Sequence, residues 1–327
     1  MVHSVVLRQV PYFRFRQVGG SLSVTVPFGL GYAFGSALVQ PAADSATGLD
    51  TMWVFGTDSN QSYVDAFKST DLISWTHTRA LQLEWTDSYP AESFKAFNNA
   101  VTKNDKGGYT MAIELGAPSD IVGTGFTSVF AEVEGNDLST GFQLLDPFKH
   151  VYTPAEYSAC PTIRHYGSYF YVFTLFITPV SFDVQMLVVL DPCFDSVWRW
   201  QANATHPWDL HTMVVRSPDL AQWEGPHGSL GPGSPDNPVL QHGDTMADRH
   251  IGDEAWNYET NFTDAMKNLI ANATDNNNSD IDFCDDGQGG VYIAYSWGNQ
   301  QGIEFLGAAQ VRNCSEQEWV ESFFPAA

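Results

Sequence analysis

The chain has 327 residues with 15 basic and 38 acidic side chains, a formal net charge of −23. So acidic a balance argues against nucleic acid, whose readers need a basic face to displace counterions from phosphates, and against an anionic membrane surface. Charged residues are nonetheless only 16% of the chain while aromatics reach 14%. That excludes a disordered acidic tail and predicts a folded, aromatic-rich protein.

Strand signals dominate from the N-terminus onward: short runs of Val, Tyr, Phe, Trp and Thr broken by Gly, Asn, Asp and Pro. Val5 to Leu7, Tyr12 to Phe15 and Leu22 to Val26 are strand-like. Residues 1–27 also hold Arg8, Arg14 and Arg16 without a sustained hydrophobic stretch, so no secretory signal is read there. A cassette of three strands and a turn then recurs four times. The first runs through Tyr32 to Val39, Met52 to Gly56, Tyr63 to Lys68 and the turn Ser69-Thr-Asp-Leu-Ile-Ser-Trp75. The second has Asn99 to Lys103, Gly108 to Glu114, Thr127 to Val133 and Asn136-Asp-Leu138. The third has Cys160 to His165, Tyr169 to Leu175, His211 to Arg216 and Ser217-Pro-Asp-Leu-Ala-Gln-Trp223. The fourth has Asp280 to Cys284, Val291 to Trp297, Phe305 to Val311 and a weaker turn, Cys314-Ser-Glu-Gln-Glu-Trp319.

Three or four strands per repeat, at a period of roughly 60 to 80 residues, is the sequence signature of a β-propeller. The expected fold is all-β: a single five-bladed propeller domain over residues 1–327, with residues 1–27 helping to close the last blade. In the Asp-Leu-x-x-Trp turns the carboxylate is expected to cap the turn and the indole to pack between blades. The connection 224–278 reads as a long insertion covering the mouth. It carries one predicted helix, Thr260 to Ala271, with Phe262, Met266, Leu269 and Ile270 on one face.

In a propeller the first strand of each blade lines the central channel, so the starts of those strands meet at one mouth. This places Asn98, Asn99, Cys160 and the Asn278 to Asp282 segment together, with Asp58, Glu114 and Ser296 to Gln300 at the partner ends. Asp280 and Asp282 are two apart and should share a strand face. Carboxylates on a buried strand need water, a ligand or a metal, and two like charges this close push one pKa upward. Glu114 ends an apolar strand where packing does not require an acid. It is read as a catalytic acid or sugar-hydroxyl acceptor, with a solvent-facing strand end as the alternative. Arg164 either balances charge at the mouth or makes an ordinary salt bridge. Trp297, Asn299 and Gln300 combine an aromatic platform with amides able to hold sugar hydroxyls, or form a plain hairpin turn. The acidic stretch His242 to Glu254 could hold a structural divalent cation, although a solvated loop is the simpler reading. No metal site, organic cofactor or nucleotide fingerprint is expected.

No apolar run approaches the roughly 18 residues of a membrane helix, so no membrane insertion is expected. Asn-x-Ser/Thr sequons at Asn60, Asn203, Asn261, Asn272, Asn277 and Asn313 suggest a glycoprotein of the secretory pathway or extracellular space. Cys160, Cys193, Cys284 and Cys314 are too widely spaced for a zinc motif and are read as small buried residues or one disulfide.

The repeated aromatic strand followed by Ser-x-Asp-Leu-x-x-Trp, Ala159-Cys-Pro-Thr-Ile163 at the start of one blade and Asn-Ser-Asp-Ile-Asp282 at another resemble the five-bladed β-propeller glycoside hydrolases. That superfamily includes arabinanases, xylosidases, invertases and anhydro-galactosidases, and the resemblance covers residues 28–325. It implies hydrolysis of an oligosaccharide or polysaccharide by a carboxylic acid and a carboxylate around an oxocarbenium-like transition state. The implied catalytic residues are Asp280, Asp282 and Glu114, with Glu254 and Asp58 in reserve. Asn98, Asn99, Arg164, Trp297, Asn299 and Gln300 are the sugar-contacting set. The chain departs from the superfamily pattern at Gly31-Tyr-Ala-Phe34, where the first blade offers no acid at the start of its inner strand. The alternative functions are therefore a carbohydrate-binding propeller that does not cleave, then a protein-interaction propeller.

Overall fold

The structure is a computed structural model. It describes residues 33–40, 50–57, 63–71, 73–83, 95–116, 126–152, 158–178, 187–191, 194–199, 209–226, 238–240, 263–265, 268, 277–298 and 304–324. The described residues are mostly strands in several sheets with little helix, and antiparallel pairing predominates.

Four strand modules follow the four sequence cassettes. The first is β1 (Ala33–Gln40), β2 (Thr51–Thr57), β3 (Tyr63–Ser69) and β4 (Thr76–Gln82), paired in chain order. The second is β5 (Lys95–Lys103), β6 (Tyr109–Gly116), β7 (Phe126–Val133) and β8 (Gln143–Leu144), with β9 (Val151–Tyr152) also on β7. The third pairs β10 (Ser158–Tyr166) with β11 (Tyr169–Thr178) and then β14 (Asp209–Ser217). Between β11 and β14 a separate hairpin forms from β12 (Leu187–Asp191) and β13 (Phe194–Arg199), which the cassette reading did not anticipate. The fourth module is β16 (Asn277–Asp285), β17 (Gly290–Gly298) and β18 (Glu304–Arg312). It joins the third through one parallel pairing, Leu210 with Asn277.

Packing explains the composition of the middle strands. Tyr109 to Leu115 in β6 are buried at every position, as a strand must be when neighbouring layers cover both of its faces. Met111, Ile113 and Leu115 face the first module, where they meet Trp53, Phe55 and Val64. Ala112 and Phe130 face the third module, where they meet Ile163, Phe170 and Val172. A third cluster joins Tyr171, Phe173 and Val214 to Ile281, Phe283 and Ile293. Each fully buried aromatic here contributes about 2–3 kcal/mol. The first strands run in series, β5 lying between β1 and β10, and β10 touching β16.

The turns behave as read. Asp71 accepts from the backbone N–H groups of Ile73 and Ser74, and Asp219 accepts from those of Ala221 and Gln222. Trp223 stacks on Phe130, lies tilted against Tyr152 of the same second module and donates its indole N–H to the Val151 carbonyl at 2.8 Å. Gly108 is sterically required: a Cβ there would sit 2.0 Å from the Val133 carbonyl oxygen.

The fourth turn is a correction. Residues Glu316–Glu321 form a helix, α1, started by Ser315 in a reciprocal capping box with Glu318. Its Trp319 stacks on Phe173 and meets Phe283 edge-on, so α1 clasps the third and fourth modules. Of the helix read in Thr260 to Ala271, Asp264, Ala265 and Asn268 are helical, Thr263 is not, and the other positions lie outside the described residues. The 224–278 connection also contributes a short strand, β15 (Pro238–Leu240), on β14. Residues 1–27, read as closing the last blade, lie outside the described residues, as do Asp58, Cys193, His242 to Glu254 and the sequons at Asn60, Asn203, Asn261 and Asn272. Cys160, Cys284 and Cys314 are free thiols. Among the described residues no helix is long and apolar enough to cross a membrane.

Candidate active site

All four first strands share one irregularity near their start. Pairing with the second strand slips between Phe34 and Ala37, Ala96 and Asn99, Ala159 and Thr162, and Ser279 and Asp282. Such bulges turn side chains out of the ordinary alternation. In the second, third and fourth modules they carry Asn98, Cys160 and Asp280. Cys160 and Asp280 are left-handed, at φ 50° and 52°, a conformation that costs a non-glycine residue about 1 kcal/mol.

These bulges converge on Glu114. Its side chain is only 4% exposed, and its Oε2 accepts from the Asn98 side-chain amide at 2.9 Å and the Cys160 backbone N–H at 2.9 Å. The Asn98 amide also donates to Cys160 Sγ at 3.2 Å. Asp280 is exposed and accepts from Ser279 Oγ at 2.9 Å. Burial pushes the Glu114 carboxyl up to about 7; the Cys160 and Asn98 hydrogen bonds oppose this, and the Asp280 charge adds to it. Burial, then Asp280 and Glu114, hold the Cys160 thiol well above its ordinary range. The result is a carboxyl that keeps its proton to neutrality beside an exposed carboxylate.

The other sequence candidates divide. Asp282 does not share a face with Asp280, because the slip between Ser279 and Asp282 breaks the two-residue alternation. Asp282 instead accepts from Phe283 N–H and pairs with Arg164 at 2.9 Å. Arg164 is committed to Asp282, to Glu316 at 2.7 Å and to the Ile163 and Phe283 carbonyls, and its guanidinium lies over the Phe283 ring. It ties β10 to β16 and α1, the salt-bridge alternative for this residue. Asn99 pairs with Ile113 and so faces the first module, away from Glu114; it is 2% exposed and its amide atoms have no hydrogen-bond partner. Trp297 lies in β17, its side chain outside the described residues; Asn299 and Gln300 lie outside them entirely.

Two residues at the site were not among the sequence candidates. Cys160 stands at the start of its strand, where the sequence by itself predicts only a small packed residue. Ser128, directly opposite Glu114 in the β6–β7 register, has a buried hydroxyl without a hydrogen-bond partner, and a lone Ser in an apolar strand carries no signal in sequence. Among the described residues no group of His, Cys, Asp and Glu side chains is placed to hold a metal ion.

No family model matches the sequence, and no curated protein matches it. Solved structures similar to the chain include a Bombyx mori GH32 β-fructofuranosidase, at 12% identity and TM-score 0.44 over 84% of this chain and 45% of that one. A GH43 endo-arabinanase from Bacillus licheniformis aligns at 9% identity and TM-score 0.42 over 84% of this chain and 72% of that one. A family 117 glycoside hydrolase of the marine bacterium Zobellia galactanivorans aligns at 9% identity and TM-score 0.43, over 88% and 71%. The chain spans less than half the length of the silkworm enzyme it matches.

Proposed function

We propose that the chain is a glycoside hydrolase built on a closed five-bladed propeller, with Glu114 as the proton donor to the leaving glycosidic oxygen. The observation that carries this reading is the Glu114 carboxyl, buried and held protonated to about 7 beside Asp280. A general acid works best when its pKa lies near the operating pH, and burial is the ordinary way to raise a carboxyl there. Asp280, exposed and bonded by Ser279, supplies the negative charge that an oxocarbenium-like transition state requires, as nucleophile, as base toward water or as electrostatic partner.

Asp282 has no part in this chemistry, being spent on Arg164. The second reading, a propeller that binds carbohydrate without cleaving it, is favoured by the first module, where Gly31-Tyr-Ala-Phe34 offers no acid. Trp297, Asn299 and Gln300 remain the proposed sugar contacts. Secretion and N-glycosylation are proposed from the sequons, among which Asn313 is exposed.

A glycan panel with product detection separates the readings. Reducing-end release by the parent protein, lost in a folded Glu114→Gln variant, is the expected result. Ligand-dependent stabilisation without product would replace hydrolysis with binding.

A further inference from the structure

We propose that Cys160 is a positioning residue that holds the Asn98 amide on the Glu114 carboxyl and so governs the protonation of the acid. The inference rests on the reading of Glu114 as proton donor. A primary amide has two N–H bonds about 120° apart, and both of Asn98's are used: one on Glu114 Oε2 at 2.9 Å, the other on Cys160 Sγ at 3.2 Å. The sulfur therefore selects the amide rotamer that serves Glu114.

The same thiol feels the charge of Asp280 while its sulfur accepts from Asn98. Burial together with the two carboxylates keeps the proton on sulfur. The left-handed backbone at Cys160 turns its N–H onto Glu114 Oε2 at 2.9 Å. Strain of this kind persists where the surroundings enforce it and commonly marks a working site. One residue thus contacts both Asn98 of β5 and Glu114 of β6.

Donors to a carboxylate favour its ionised form. Asn98 and the Cys160 N–H pull Glu114 down against burial, and Asp280 pushes it up. Among the described residues, the titratable groups facing Glu114 are Cys160 from β10 and Asp280 from β16; Asn98 from β5 and Ser128 from β7 are uncharged. Without the sulfur the Asn98 amide is free to rotate off Oε2, one donor is lost, and Glu114 releases its proton at higher pH.

The test needs no turnover. The Glu114 titration is followed by its carboxyl infrared band, assigned by difference against Glu114→Gln, in the parent, Cys160→Ala, Cys160→Ser, Asn98→Ala and the Cys160→Ala/Asn98→Ala double variant. The removal of one donor should raise the midpoint by about half to one pH unit in each single sulfur-free or amide-free variant. The double variant should move no further than either single one, and Cys160→Ser, which keeps a donor and an acceptor, should titrate like the parent. If Cys160→Ala fails to fold, Cys160→Gly serves, since glycine accepts the left-handed backbone. An unchanged midpoint in the sulfur-free variant, or shifts that add fully in the double variant, would overturn the proposal. A parent that cleaves no glycan overturns the hydrolase reading instead, and leaves this titration to be decided on its own result.

Discussion

The backbone N–H of Cys160 meets Glu114 Oε2 at 2.9 Å, joining residues 46 positions apart and two strand modules. This bond is offered to an acid that burial keeps protonated to about 7, so the local geometry opposes, without cancelling, the penalty of an ionised carboxyl in an apolar layer. The balance has consequences for stability as well as chemistry.

Stability should fall with rising pH through a window defined by Glu114. Its folded carboxyl titrates at about 7, against 4.5 for the unreacted side chain. Between those values the unfolded chain has released a proton that the folded chain still holds, so stability is lost as pH rises and levels off above about 7. The loss is of the order of 3 kcal/mol. Urea unfolding of the parent and of Glu114→Gln at pH 5 and pH 8 measures it. The variant should lack this part of the fall, and parallel behaviour of the two proteins would contradict the assignment.

Arg164 should matter to the fold and not to sugar binding. Its side chain is 20% exposed and shared between Asp282 and Glu316. Truncation to Ala leaves two carboxylates without their cation and is expected to cost about 3 kcal/mol. Denaturant unfolding checks the cost, and affinity for a glycan bound by the parent should be unchanged where the variant is folded.

Positions in the recurring turns separate cleanly. Trp223, packed between the second and third modules, should cost about 3 kcal/mol on replacement by Ala. Ile73, in the corresponding turn of the first module, is 76% exposed, and Ile73→Ser should stay within about 0.5 kcal/mol of the parent. Comparable midpoints in urea for both variants would refute the interlocking role of the indole.

Ser315→Ala should weaken α1 by about 1 kcal/mol through loss of the reciprocal bonds with Glu318. Because Trp319 seats that helix on Phe173 and Phe283, the same variant should show faster amide exchange in α1 than the parent.

The strand modules were legible because aromatic and β-branched runs mark strands buried on both faces, and Asp71, Asp219 and Trp223 repeat at fixed offsets from them. The site was legible only in part. Counting by twos put Asp280 and Asp282 on one face, but the bulge and the left-handed backbone at Asp280 are tertiary adjustments that alternation cannot reveal. The fourth turn misled for a related reason: Trp319 matched the repeat while Ser315 and Glu318 spelled a capping box. Arg164 could not be assigned because its partners Asp282 and Glu316 are 118 and 152 positions away.

The central claim, Glu114 as a proton donor near neutrality, is tested most directly by the pH dependence of product release from a glycan that the protein cleaves, in the parent and in Glu114→Gln. The account predicts release that declines above about pH 7 in the parent, where the acid loses its proton, and falls about 100-fold or more in the folded variant. A folded Glu114→Gln protein that releases the same product at the parental rate would contradict it.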